Sequence, residues 1–319
     1  MSIAPYLREI GRGKDGARSL DRAQARDLMS QVLDGQVSDL EIGAFAIAMR
    51  VKGESLEELG GFLDAADSRC LRLAAACRPT IVLPSYNGAR KLPNLTALLA
   101  LLLAQEDVQV LVHGLDDDAG RVTTAAIFRD LGLPFAREPA DVTDAWGRRE
   151  PVFMRTSDLC PPLARLLDVR QVIGLRNSGH TIAKLLQPCG DGPVIRVVNH
   201  THPDYATLQN DFLVASGAHA LSLRGTEGEP VADPRRTPRL DVYIGGILRT
   251  DLSGVAQEGV LTALPLLPRS HDAATTALYI QSVVSGERPA PPPVLHQVEC
   301  LVRALAAIGA ATTPSAQSA

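Results

Sequence analysis

Residues 80–114 read TIVLPSYNGARKLPNLTALLALLLAQEDVQVLVHG. The segment begins with a short β-branched run, Thr80 to Leu83, and ends with a second one, Val108 to Val112. Between them, the stretch from Leu95 to Ala104 is apolar nearly all round, as expected of a buried helix. A strand, a loop, a helix and another strand in this order are typical of a parallel sheet covered by helices.

The same alternation continues further along the chain. A helix is predicted over residues 123–131, and strands are predicted over 194–198, 220–223 and 240–244. Ligands of parallel α/β sheets gather at the loops that leave the carboxyl ends of the strands. The candidate ligand loops are therefore residues 84–91, 113–121, 200–205 and 225–229.

The first 70 or so residues have a helical pattern instead. Ser19 or Asp21 can cap a helix that carries apolar residues at helical spacing. The S-x-x-E patterns at residues 38–41 and 55–58 are capping boxes, which predict two more helix starts. Near the other end, a last helix is predicted over residues 294–308.

Composition narrows the functional classes. The 319 residues carry a formal net charge of −4, so nucleic-acid binding would depend on a local basic patch. The five cysteines are scattered without a CxxC pair, which argues against a zinc site and a disulfide framework. The N-terminal residues have no signal-peptide pattern, and the most apolar run is about half the ~20 residues that cross a bilayer. We expect a cytoplasmic protein with no membrane partner.

A longer stretch carries a family resemblance. The run LDGQVSDLEIGAFAIAMRVKGE, residues 33–54, resembles the N-terminal helical domain of anthranilate phosphoribosyltransferases. Similarity continues through VFM at 152–154 and CPPL at 160–163 to LQP at 186–188. Arg170 matches the family arginine that meets the anthranilate carboxylate.

The resemblance implies a small N-terminal helical domain and a larger α/β domain with a mostly parallel sheet, a fold shared with nucleoside phosphorylases. We expect the helical domain at residues 1–75, with helices from about 158–186 packing on it, and the α/β domain at residues 76–310. A disordered tail is expected at 311–319, and a stiff proline-rich spacer at 289–293. The resemblance also implies a homodimer formed through the helical domain.

The loops that hold phosphoribosyl pyrophosphate in this family are altered. The family's GTGGD loop falls on residues 84–88, where Pro84, Tyr86 and Asn87 replace three glycines. Bare glycine backbone lets several N–H groups approach an anion, whereas proline has no N–H and a tyrosine side chain would fill the space of a phosphate.

Two further family elements are changed. The KHGNR loop falls on residues 112–116, where valine and aspartate replace its lysine and arginine. The adjacent Asp-Glu pair that holds magnesium is replaced by Glu227 and Glu229, which a glycine separates. We therefore expect no catalytic residues, no metal and no cofactor in this chain.

A divergent branch, the YbiB-like DNA-binding proteins, resembles the chain more closely. Its motifs stand here as PSYNGARK at 84–91, PVFM at 151–154, RNSGHTIAK at 176–184 and GTEGE at 225–229. That resemblance implies DNA binding without sequence preference by a homodimer, and it leaves RNA open as a partner.

The candidate residues form two groups. The expected phosphate contacts are Arg90, Lys91, Arg176, Lys184, Arg12 and Lys14. The residual cleft is expected to contain Ser85, Asn87, Gly88, His113, Gly114, Arg170, Asn177, His180 and Glu229. Each group also has a structural interpretation: the basic residues as solvated turns, and the polar residues as caps and packing groups.

Two other functions stay open at this stage. The first is a glycosyl- or phosphoribosyltransferase that acts on a substrate other than anthranilate, with His113, Asn177, Arg170 and Glu229 lining its pocket. The second is a metabolite-sensing or scaffold protein that binds a nucleotide in the old cleft.

Overall fold

The computed structural model describes residues 2–13, 15–74 and 78–312. The chain divides into two compact units. The helical unit comprises Met1–Arg72 and Thr156–Pro188, and the α/β unit comprises Leu73–Arg155 and Cys189–Ala319. Lys14 and residues 313–319, which include most of the expected tail, lie outside the described residues.

Capping boxes fix the starts of the three helices that lie between residues 22 and 67. Both predicted S-x-x-E boxes are confirmed, and Asp21 with Gln24 forms a third. The cap side chains accept hydrogen bonds from backbone N–H groups that have no partner inside the helix. With helices numbered along the whole chain, this unit contains α1 Ala4–Ile10, α2 Arg22–Leu33, α3 Asp39–Lys52, α4 Leu56–Asp67, α8 Thr156–Leu159, α9 Pro161–Ile173 and α10 Ser178–Ala183.

Glu58 connects the capping of α4 to the interior of the helical unit. Its carboxylate is fully buried and accepts hydrogen bonds from the N–H of Ser55 at 2.8 Å and of Leu20 at 3.0 Å. It also forms an ion pair with the Lys52 Nζ at 2.6 Å. Because these partners pair both oxygens of the Glu58 carboxylate, its negative charge can be buried in an apolar core.

The α/β unit is built on one eight-stranded sheet in the order β3-β4-β2-β1-β5-β6-β7-β8. The strands are parallel from β3 to β6, and the last two pairings are antiparallel. The strands are β1 Thr80–Ser85, β2 Gln109–Gly114, β3 Phe135–Ala136, β4 Val152–Arg155, β5 Val194–His200, β6 Ala220–Arg224, β7 Leu240–Ile244 and β8 Ile247–Leu248. The predicted fold class, a small helical part followed by a larger α/β part with a mostly parallel sheet, is confirmed.

Helices cover this sheet with an aliphatic core. They are α5 Thr96–Gln105, α6 Thr124–Asp130, α7 Pro139–Gly147, α11 Pro203–Ala215, α12 Ala273–Val284 and α13 Pro292–Thr312. Leu98, Leu99 and Leu103 of α5 are completely buried, as its apolar sequence predicts. The expected spacer at 289–293 is wrong at its end, because α13 begins at Pro292. A proline in the first turn has no N–H that the helix would need. No helix among the described residues is long and apolar enough to cross a membrane.

The register between β1 and β2 positions the loop that follows. Pro84 and Ser85 pair with His113 and Gly114, so β1 runs two residues beyond the predicted strand. Pro84 is tolerated there because β5 pairs with β1 only over the first three residues of β1. A Cβ on Gly114 would lie 1.7 Å from the Ser85 carbonyl oxygen, so this close approach requires glycine.

Candidate functional site

The buried carboxylate of Glu229 binds backbone N–H groups of the loop that follows β1. Its Oε1 accepts hydrogen bonds from the backbone N–H of Asn87 at 2.8 Å and of Gly88 at 2.7 Å. Its Oε2 accepts from the Ser85 hydroxyl and lies 3.3 Å from the Thr124 Oγ1 and 3.4 Å from that of Thr96. Glu229 is completely buried, so five donors of the α/β unit take the place of solvent around this carboxylate.

A second carboxylate, that of Glu227, binds the N–H groups of the next residues of the same loop. Its Oε1 accepts hydrogen bonds from the N–H of Lys91 at 2.8 Å and of Leu92 at 2.9 Å. The N–H of Arg90 lies 3.2 Å from Oε2. Glu227 has a φ of 51°, which is uncommon for a residue with a side chain. The three amide contacts offset this local strain, of about 1 kcal/mol or more.

Two glycine positions let the two segments interlock. Gly88 and Gly228 have φ values of 65° and 87°, in the region that favours glycine. A Cβ on Gly228 would lie 1.7 Å from the Asn87 Nδ2, which donates a hydrogen bond to the Glu227 carbonyl at 2.8 Å. The PSYNGARK and GTEGE motifs thus form one structural element, which we call the glutamate clasp: residues 84–92 and 225–229.

The clasp corrects the physical reason expected from the sequence. The substitution at Pro84 predicts a loop that lacks one amide donor. The structure shows that the donors of Asn87, Gly88, Arg90, Lys91 and Leu92 are present and all bound to carboxylates of the same chain. Pro84 supplies no N–H, and the amides that remain in these five residues are occupied by Glu227 and Glu229.

Tyr86 is a buried residue at the start of the same loop. Its side chain is 1% exposed and its hydroxyl lies 2.8 Å from the Nδ1 of His113. Its expected role, filling the space of a phosphate, stays a prediction. Burial lowers the pKa of His113 to about 3, so this imidazole is neutral at physiological pH. Its Nε2 is buried and has no hydrogen-bond partner among the described residues.

The cationic side chains beside the clasp remain available. Arg90 and Lys91 are exposed, and neither side chain makes an ion pair or a hydrogen bond to any residue that the structure describes. Arg224, at the carboxyl end of β6, is exposed as well. Arg121 is half-buried and donates a hydrogen bond to the Gly88 carbonyl at 3.2 Å. This edge of the sheet therefore presents positive charge next to filled amides.

Arginines partly neutralise the acidic residues that follow β2. Asp116 forms ion pairs with Arg129 and, at 2.9 Å, with the Nε of Arg155. Asp117 keeps 82% of its side-chain exposure and lies 3.6 Å from the Arg129 guanidinium. Two arginines thus neutralise much of the charge of this loop.

Other predicted residues lie in the helical unit and have structural partners there. Asn177 caps α10, because its side-chain oxygen accepts a hydrogen bond from the N–H of Gly179 at 2.9 Å. Its Nδ2 donates to the Leu166 carbonyl at 2.7 Å. The capping role that the sequence allowed is confirmed.

The pKa of His180 is lowered by burial and by nearby positive charges in the same unit. Burial, followed by the charges of Arg176 and Arg170, lowers its pKa to about 3, and Lys184 contributes in the same direction. Lys184 itself is only 8% exposed and has partners of its own. The residue is therefore largely buried, and its expected role as a phosphate contact stays a prediction.

The N-terminal basic stretch is only partly described. The Arg12 guanidinium forms an exposed ion pair with Glu9 at 2.7 Å and also donates to the Arg8 carbonyl. Such surface pairs exchange readily with other anions. Lys14, the other residue expected here, lies outside the described residues.

The structure thus brings together Ser85, Asn87, Gly88, His113, Gly114 and Glu229 in the α/β unit. It places Arg170, Arg176, Asn177, His180 and Lys184 in the helical unit. Sequence reasoning missed Thr96 and Thr124 as partners of Glu229. No motif marks either threonine, since each stands at the start of an ordinary helix.

Comparison with known proteins agrees with this architecture. Residues 4–70 match the family described as glycosyl transferase family, helical bundle domain. Anthranilate phosphoribosyltransferase from Thermus thermophilus superposes with a TM-score of 0.68 at 21% identity, over 97% of this chain and 90% of that one. The Saccharomyces cerevisiae enzyme in complex with phosphoribosyl pyrophosphate and magnesium gives 0.68 at 13% identity, over 97% and 93%. The fold is that of the anthranilate phosphoribosyltransferase class.

Sequence relatives define the branch. The uncharacterized protein YbiB of Escherichia coli K12 is 39% identical over 317 residues, which cover 99% of this chain and 97% of YbiB. Anthranilate phosphoribosyltransferase from Methanopyrus kandleri is 28% identical and covers 89% of this chain and 83% of its own length. The chain belongs to the YbiB-like branch of the anthranilate phosphoribosyltransferase family.

Proposed function

We propose that this protein binds DNA through its phosphates, without sequence preference, and that it is not a working phosphoribosyltransferase. One observation carries the proposal. The loop amides of the clasp are bound by Glu227 and Glu229, while the side chains of Arg90 and Lys91 stand exposed beside them. Such a surface offers exposed cationic side chains to the phosphates of DNA. It offers no unoccupied backbone N–H groups of the clasp to a diphosphate.

A diphosphate would have to displace the chain's own carboxylates. A hydrogen bond to a buried charged acceptor contributes roughly 1.5–3 kcal/mol, and the buried Glu229 accepts two of them from backbone N–H groups. The partly buried Glu227 accepts three more from backbone N–H groups, which contribute less because water can replace it. An incoming diphosphate must replace all of these contacts before it gains any affinity.

The magnesium of the related transferases does not fit this donor set either. A hard cation needs carboxylate lone pairs that face an open coordination sphere. In the clasp the oxygens of Glu229 face two N–H groups and three hydroxyls in a fully buried position. Glu227 faces three further N–H groups. We therefore assign no metal-dependent step to this chain.

A homodimer would increase the affinity of a modest patch. On α3, the side chains of Leu40, Ile47 and Val51 are 83%, 46% and 59% exposed, although all three are large and apolar. Their spacing of seven and four residues places them on one face of the helix. An apolar face of this kind supports dimerisation through the helical unit, and two linked patches would bind by avidity.

A salt titration tests the proposed activity. Binding of a labelled DNA duplex, followed by fluorescence anisotropy, is expected at low ionic strength for unrelated sequences alike. The logarithm of the binding constant should fall with the logarithm of salt concentration, with a slope of roughly −0.9 per phosphate contacted. Absence of binding at low ionic strength would refute the proposed function, and affinity for one sequence alone would refute its lack of sequence preference.

A further inference from the structure

Two cysteines of the helical unit meet where α4 ends and α9 begins. The Leu71 N–H donates a hydrogen bond to the Leu159 carbonyl at 2.7 Å, which joins the segments beside Cys70 and Cys160. The thiols of Cys70 and Cys160 interact closely enough for each to shift the pKa of the other. The Cys160 Sγ also lies 3.8 Å from the Ala66 carbonyl oxygen, at the last turn of α4. The backbone bond from Leu71 to Leu159 and the contact of Cys160 with the end of α4 therefore bring Cys70 and Cys160 to the same point of the helical unit.

The chemistry of this pair differs from that of the other described cysteines. The neighbouring Cys70 thiol lowers the pKa of Cys160, against the opposing effect of burial. Because the two thiols interact, the loss of the first proton is a property of the pair, and it leaves one thiolate beside one thiol. Burial instead raises the pKa of Cys189 to about 12 and raises that of Cys300. Cys160 is buried and Cys70 only partly so, which gives a small oxidant access from the Cys70 side.

We propose that Cys70 and Cys160 form a reversible disulfide when the protein meets a peroxide. The thiolate of the pair attacks one peroxide oxygen, so an S–O bond forms, the O–O bond breaks and one water leaves after protonation. The second sulfur then attacks the resulting sulfenic acid, so the S–S bond forms and a second water leaves. Two thiols and one hydrogen peroxide are thereby converted to one disulfide and two waters.

The bond would tie the N-terminal helices to the 156–188 part of the same unit. It would close a loop of about 90 residues, and long loops gain the most from a cross-link. The melting temperature of the oxidised chain is expected to exceed that of the reduced chain by about 5 °C. A thiol reductant should reverse the shift.

Peptide mapping of the full chain tests this pair. The reduced protein is treated with hydrogen peroxide, alkylated and digested, and the expected product is a Cys70–Cys160 peptide that a reductant removes. The Cys70→Ser variant changes only the partly exposed member of the pair and should yield no cross-link. The Cys77→Ser variant is the matched control and should keep it. A bridge from Cys70 to Cys77, or complete alkylation of Cys70 and Cys160 after the peroxide treatment, would overturn the assignment whatever the DNA-binding result.

Discussion

Replacing Glu229 by alanine is expected to lower the free energy of unfolding by about 3–5 kcal/mol. The substitution leaves two backbone N–H groups and three hydroxyls without their shared acceptor in a completely buried position. Unpaired buried donors carry most of this penalty, because water reaches them only if the loop opens. Urea unfolding measures the loss. The hydrogen-exchange rates of the Asn87 and Gly88 amides should rise by at least the factor that corresponds to this loss of free energy.

Two further variants show whether the loss of stability comes from the burial of the carboxylate or from its charge. Glu229→Gln keeps an oxygen for the amides and should lose clearly less stability than the alanine variant. Glu227→Ala removes a carboxylate that is only partly buried, and a loss of about 1 kcal/mol is expected because water can replace it. A Glu229→Ala protein within about 0.5 kcal/mol of the wild type, the range of ordinary surface changes, would show that the carboxylate does not hold the loop.

The second large effect is expected on DNA affinity. Changing Arg90 and Lys91 together to alanine should weaken binding roughly 10- to 100-fold at low ionic strength, equally for all duplex sequences. Two phosphate contacts would be lost in each protomer, so the salt slope of the double variant should be flatter by about 2 per protomer. Fluorescence anisotropy over a range of salt concentrations measures both quantities. Because both side chains are exposed and make no ion pair to the residues described, stability should not change.

A matched pair of basic residues lies at the opposite edge of the sheet. Arg148 and Arg149 precede β4, and their side chains are 56% and 73% exposed. Their surface ion pairs contribute little to stability. The Arg148→Ala/Arg149→Ala variant removes the same charge, so it should keep nearly the wild-type affinity and salt slope. Equal losses in the two double variants would mean that net charge alone, and no local patch, explains the binding.

Local patterns predict most of the fold. The capping boxes at 38–41 and 55–58 and the β-branched runs after Pro79 each specify their own element, because the necessary partners lie within a few residues. The order of these elements then restricts the topology to a parallel sheet with its ligand loops at one edge. For that reason the loop at residues 84–91 is predicted at the correct edge of the sheet from the sequence alone.

The content of the site is harder to predict. The contact between Glu229 and Gly88 joins residues 141 positions apart, and it links a side chain to a backbone group that any residue could supply. Sequence therefore indicates that the two loops lie near one another, yet not that one fills the other. The burial of Lys184 is hard to predict for a related reason. Its position at the end of a six-residue helix does not reveal which side of that helix is enclosed.

Calorimetric titration with phosphoribosyl pyrophosphate and magnesium tests the closure of the clasp most directly. The wild-type chain is expected to show no binding heat up to millimolar ligand, because Glu227 and Glu229 already hold the amides that a diphosphate requires. Micromolar binding, with magnesium dependence, would contradict that closure and restore a transferase acting on another substrate as the better explanation.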